Sequence, residues 1–122
     1  MLKSARILIV EDEPLIAMEL AHVIEDADGI VAASVRSVKE AQDHLTGTAF
    51  HAAVLDVRLL DGTVFHIAEC LESKGVPFVF CTADTEDATQ FSRWPSAPVL
   101  TKPYQSDMII AALAGLLEKQ GN

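Results

Sequence analysis

Cysteine is scarce in this chain. Its 122 residues hold two, Cys70 and Cys81, with no CxxC motif and no zinc-like spacing. That excludes a disulfide-stapled scaffold and a structural zinc site, and leaves two reduced, mostly buried thiols as the expectation. Positive charge is scarce too. Nine Lys and Arg stand against eighteen Asp and Glu, for a formal net charge of −9, and no basic cluster interrupts the imbalance. Such a chain is repelled by phosphate backbones and anionic headgroups, which argues against nucleic acid and membrane surfaces as partners. No apolar stretch approaches the roughly 20 residues needed to span a bilayer. Met1-Leu2-Lys3-Ser4-Ala5-Arg6 leads straight into an apparent strand, without an h-region or cleavage site, so a cytoplasmic location is expected. Repeats, low-complexity tracts and interdomain linkers are lacking, and residues 1–122 fit one domain of ordinary size. The four histidines, at 22, 44, 51 and 66, show no metal-ligand spacing.

What is present is a set of short apolar runs that each end in polar residues. Arg6-Ile7-Leu8-Ile9-Val10 ends in Glu11-Asp12, and Ala52-Ala53-Val54-Leu55 ends in Asp56. Val76-Pro77-Phe78-Val79-Phe80-Cys81 ends in Thr82, and Pro98-Val99-Leu100-Thr101 ends in Lys102-Pro103. If the runs are parallel strands of one sheet, all these polar residues lie outside its carboxyl edge, where open α/β sheets place their sites. Three carboxylates, a hydroxyl and an ammonium group then meet in one pocket. It can hold a divalent metal and offer one carboxylate as nucleophile to a phosphoryl group.

Helical periodicity fills the intervals. Residues 13–28 carry Leu15, Met18, Val23 and Ile24 with Pro14 in the first turn, and Gly29 stands in the position of a helix stop. Residues 30–35 read as a further strand. Ser37 with Glu40 forms a capping-box pattern for a helix carrying Val38, Ala41 and Leu45, which Gly47 ends. Asp61-Gly62 is expected to open a third helix through Val64, Ile67, Ala68 and Leu71 to Gly75. Residues 83–97 are polar and interrupted by Pro95, so a short or mobile fourth helix is expected there. A last helix is expected to start at Ser106 or Gln105 and to run to about Lys119. One face accounts for Ile109, Ala112, Leu113 and Leu116, which leaves Ile110 and Leu117 as apolar surface for a partner or a homodimer. Strands alternating with helices imply a doubly wound parallel α/β sheet.

Glu11-Asp12, Asp56, Thr82 and Lys102-Pro103, in this order at these strand ends, resemble the receiver domain of two-component response regulators over essentially the whole chain. The resemblance implies a flavodoxin-like five-stranded sheet of order 2-1-3-4-5. It implies transfer of a phosphoryl group from the phosphohistidine of a sensor histidine kinase or a phosphotransfer protein to Asp56. Glu11, Asp12 and Asp56 would hold Mg²⁺, with the backbone carbonyl of Arg58 completing its shell. Lys102 would neutralise charge on the phosphoryl oxygens, and Thr82 would give them its hydroxyl on activation. A cis peptide between Lys102 and Pro103 is implied as well.

The departures from the common receiver pattern are also informative. The position three before Lys102, often an aromatic switch, is Val99. The loop 57–62 looks about two residues short and lacks the familiar proline. Pro77-Phe78-Val79-Phe80-Cys81-Thr82 is similar to the Pro-Phe-x-Phe-Ala-Thr segment of the atypical FAT GUY receivers, with Cys81 for Ala and Ala83-Asp84 for Gly-Tyr. Phe80 or the segment around Trp94 is left as the candidate switch. The expected function is a stand-alone phosphoacceptor module that binds partners or drains phosphoryl groups, not a turnover enzyme. One alternative is a haloacid-dehalogenase-like phosphatase, but its acid two residues past the nucleophile is replaced here by Arg58, which has no proton to give. The other is a pseudo-receiver that only binds protein, against which the intact acidic set argues.

Overall fold

The computed structural model describes residues 1–83 and 88–120. Its first half alternates as the periodicity predicts, through β1 (Arg6–Val10), α1 (Pro14–Asp26), β2 (Ile30–Val35), α2 (Val38–Leu45) and β3 (Ala52–Asp56). A hairpin of β4 (Arg58–Leu59) and β5 (Gly62–Thr63) follows, then α3 (Phe65–Ser73) and β6 (Phe78–Thr82). A 3₁₀ turn (Ala88–Phe91), β7 (Val99–Thr101) and α4 (Ser106–Gln120) complete the described chain. The five longer strands form one sheet in the order β2-β1-β3-β6-β7, each neighbouring pair parallel. Renumbered among themselves they run 2-1-3-4-5, the flavodoxin-like arrangement.

The sheet is apolar on both faces, which is why its strands read as unbroken hydrophobic runs. Ile7, Ile9, Ala52, Val54, Val79 and Cys81 face α1 and α4. Leu8, Val10, Ala53, Leu55, Phe78 and Phe80 face α2, α3 and the aromatic residues Phe91 and Trp94. Each large side chain so buried contributes about 1.5–3 kcal/mol.

Local details depart from the sequence reading. In α1 the buried residues are Leu20 and Ile24, while Leu15 and Met18 are 69% and 65% exposed. The left-handed residue closing α1 is Asp28 (φ 67°), not Gly29. Gly29 is needed for space, since a Cβ there would lie 2.7 Å from Ile24 and 2.9 Å from Leu2. Gly75 does adopt φ 73° beyond α3, where Val76 N–H donates to the Leu71 carbonyl at 2.9 Å, closing the helix as expected.

Asp61-Gly62 does not open α3. The two residues lie in the hairpin turn region, and Asp61 reaches across to accept from the N–H groups of Val38 (2.9 Å) and Lys39 (3.2 Å) at the start of α2. These N–H groups lower the Asp61 pKa. Ser37 caps the same helix by accepting from Glu40 N–H at 3.1 Å, as the capping box predicts.

The last helix uses its apolar residues more fully than expected. Ile110 is buried and Leu117 half-buried in the same cluster as Ile109, Leu113 and Leu116. Of the apolar surface offered to a homodimer, Met108 remains the large exposed residue. The described part of residues 83–97 is not poor in apolar contacts either. It makes a single 3₁₀ turn, and Phe91 and Trp94 are buried. The expectation for residues 84–87 lies outside the described residues.

Candidate functional site

Register brings the polar strand ends together. Val10 pairs with Leu55, Asp56 with Cys81 and Thr82 with Thr101, so β1, β3, β6 and β7 end at one level. Glu11 and Asp12 leave β1 there, Asp56 closes β3, Thr82 closes β6 and Lys102 follows β7. Glu11, Asp56 and Thr82 are 2%, 7% and 5% exposed, the buried polar side chains among the described residues. The Lys102–Pro103 peptide is cis, as the receiver resemblance implies.

Lys102 sits between two of the acids. Its Nζ donates to Glu11 Oε1 at 3.1 Å and to Asp56 Oδ1 at 3.2 Å. The other Glu11 oxygen, Oε2, accepts from Glu13 N–H at 3.1 Å, so the buried carboxylate is paired on both sides. Lys102 N–H donates to the Thr82 carbonyl at 2.8 Å, tying the lysine's backbone to the end of β6.

One cation among three acids does not neutralise the site. Burial, then the neighbouring Glu11 carboxylate, push the Asp56 pKa up to about 7, and Lys102 offsets this only partly. Burial alone would lower the Lys102 pKa, but its contacts with Glu11 and Asp56 outweigh that and leave it raised.

Glu11, Asp12 and Asp56 each bring an oxygen to within 4.8 Å of the others. Hard oxygen donors carrying excess negative charge suit a hard divalent cation. Arg58 opens β4 two residues past Asp56, with its side chain exposed.

Of the two candidate switch residues, Phe80 lies in β6 two positions before Thr82, and Trp94 packs against it with ring centroids 5.5 Å apart. One feature of the site gave no signal in the sequence. A hollow of about 350 Å³ opens between α1 and the Lys102 loop, lined in part by Ile16, Leu20, Pro103, Tyr104 and Ile109. It is assembled from α1 and the stretch from Lys102 to Ile109, distant in sequence, which no local pattern encodes.

Known proteins resemble this arrangement. The family model of the response regulator receiver domain matches residues 7–114. The phyllosphere-induced regulator PhyR of Methylorubrum extorquens is 31% identical over 117 residues, covering 93% of this chain and 44% of that protein. The solution structure of SdrG from Sphingomonas melonis superposes with a TM-score of 0.79 at 39% identity, over 96% of this chain and 99% of that one. The receiver domain of PhyR from Erythrobacter litoralis gives a TM-score of 0.83 at 25% identity, over 94% and 91% of the two chains. The chain spans less than half the length of the curated relatives it matches.

Proposed function

This chain belongs to the response regulator receiver family, and on that premise we propose that residues 1–122 act as one phosphoacceptor signalling unit with Asp56 as the acceptor. The observation that carries the reading is the Lys102 ammonium held between buried Glu11 and Asp56 at the carboxyl edge of the sheet. An Asp56 oxygen attacks phosphorus of a phosphohistidine, the P–N bond breaks, and the imidazole nitrogen leaves with the electron pair. Lys102 stays within reach of the transferred oxygens and offsets their charge. Thr82, at the end of the neighbouring strand, supplies a hydroxyl to one of them.

Glu11, Asp12 and Asp56, with the backbone carbonyl of Arg58, would hold Mg²⁺. A divalent ion there supplies positive charge that three carboxylates and a phosphoryl group otherwise lack. The phosphodonor is a sensor histidine kinase or a phosphotransfer protein. Leu15 and Met18 stand exposed on α1 and Leu60 in the hairpin turn, apolar surface that suits a protein donor. The signal leaves by protein contact, or the unit drains phosphoryl groups from its donor.

Incubation with acetyl phosphate and Mg²⁺, followed by intact mass, tests the assignment. The parent should gain one phosphoryl group and Asp56→Asn none. A mutant that still gained it at the same rate would refute Asp56 as the acceptor. An aspartyl phosphatase would instead turn over many equivalents of donor.

A further inference from the structure

The histidines show no metal-ligand spacing among themselves, nor do the cysteines, but one mixed pair does. His66 and Cys70 stand four residues apart on α3, so their side chains share a face one helical turn apart. His66 Nε2 and Cys70 Sγ lie 3.9 Å from each other. A zinc-like ion holding one sulfur and one nitrogen at the tetrahedral angle needs them about 3.6 Å apart. The His66 side chain is 60% exposed and Cys70 is half-buried, so a small rotation on the open side of the helix makes up the difference.

The other ring nitrogen is engaged from behind. Glu69 Oε1 lies 3.6 Å from His66 Nδ1, and Glu69 Oε2 forms an ion pair with Arg93. Arg93, and then His66, hold the Glu69 carboxyl below its ordinary range, which keeps it charged. A carboxylate beside Nδ1 favours the tautomer that carries its proton there, and this leaves the Nε2 lone pair facing Sγ. Metal-binding histidines are held in the same way, with the metal at one nitrogen and a carboxylate at the other.

The donor set decides the ion. Thiolate with imidazole suits Zn²⁺, whereas Mg²⁺ prefers the hard oxygens that the acids at the sheet edge supply. We propose that His66 Nε2 and Cys70 Sγ form a bidentate surface site for Zn²⁺, with Glu69 as a positioning residue and water in the remaining positions. Unlike a structural zinc centre it is open, with two protein donors in place of four. On binding, the thiol proton passes to solvent and the sulfur gives its electron pair to the metal, so affinity rises with pH. The helix fixes the backbone of both donors before the ion arrives, which keeps the ordering cost low. The site stands independently of phosphoryl transfer at Asp56.

Co²⁺ and then Zn²⁺ are titrated into the protein, with Mg²⁺ in excess to fill the acidic pocket. Co²⁺ should raise a thiolate-to-metal charge-transfer band that saturates at one equivalent, and Zn²⁺ should abolish it. Zn²⁺ should also slow the reaction of Cys70 with a disulfide reagent by about tenfold or more, since a coordinated thiolate is withheld from exchange. Cys70→Ser should lack the band. Glu69→Gln should bind about 10–100-fold more weakly than the parent, and His66→Ala more weakly still. The His66 ring lies mostly in solvent, so His66→Ala removes a donor and spares the core. A parent with no band overturns the site. A band that survives in Cys70→Ser places the ion elsewhere and overturns it as well. A His66→Ala protein with the parent's affinity rejects the chelate, and unchanged affinity in Glu69→Gln rejects the positioning role.

Discussion

At Asp56 two effects act in one direction. Burial and the adjacent Glu11 carboxylate both favour the protonated acid, and Lys102 at 3.2 Å does not cancel them. With its pKa raised from 3.8 to about 7, the folded protein holds this proton where the unfolded chain has released it. The contribution to stability is therefore complete below the unfolded value and is lost as pH rises through the folded one. Asp56→Asn abolishes the loss. Allowing for screening by water at the rim, the metal-free variant should be ~1–3 kcal/mol more stable than the parent at about pH 8, and nearly equal to it at about pH 4. Urea melts in chelator at the two pH values check this, and a parent whose stability does not fall with pH would count against the strained acid cluster. The sequence made this site legible because each of its residues ends an apolar run. It did not show that Lys102 bridges Glu11 and Asp56 in preference to Asp12, since that depends on side-chain reach across three strands.

Among the elements, α2 is tied at its start by a residue sixteen positions beyond its end. Asp61 occupies two of its free N–H groups and Ser37 a third. Asp61→Ala should lower the melting temperature at neutral pH and speed amide exchange first in α2. Because the N–H groups lower the Asp61 pKa, its contribution is present above the ordinary carboxylate range and fades as pH falls through the folded value. The difference between variant and parent should close in acid, and a gap that persists there would point to packing. The capping box at Ser37 was readable from four consecutive residues, whereas the Asp61 cap spans two elements and was not. Two-residue strands such as β4 and β5 are too short to show any period. Exposed Leu15 and Met18 misled the reading of α1 because periodicity marks an apolar stripe without showing which part of it the sheet covers. Trp94 was masked by polar neighbours, and its burial follows from Phe65 and Phe80, distant in sequence.

Across the whole molecule, the core lies in two layers on either face of the sheet, and the acidic pocket lies at their common rim. A cation bound at that rim stabilises the folded state by mass action, since the unfolded chain does not hold three carboxylates together. Adding Mg²⁺ should raise the melting temperature of the parent with rising concentration, and chelator should reverse it. Asp56→Asn should lose much of the response. An equal rise in both proteins would place the ion elsewhere. The same layering also sorts the two thiols. Cys81 is 1% exposed, and burial pushes its thiol up to about 12, while Cys70 lies only half-buried on α3. A thiol reacts as the thiolate and needs access, so a disulfide reagent near neutral pH should titrate one equivalent in the native protein and two after denaturation. The native chain thus arrives as a ready-made labelling pair. A dye placed on Cys70 would share an apolar cluster with the lone indole of Trp94, and energy transfer between them would follow the 88–97 segment without any engineered residue.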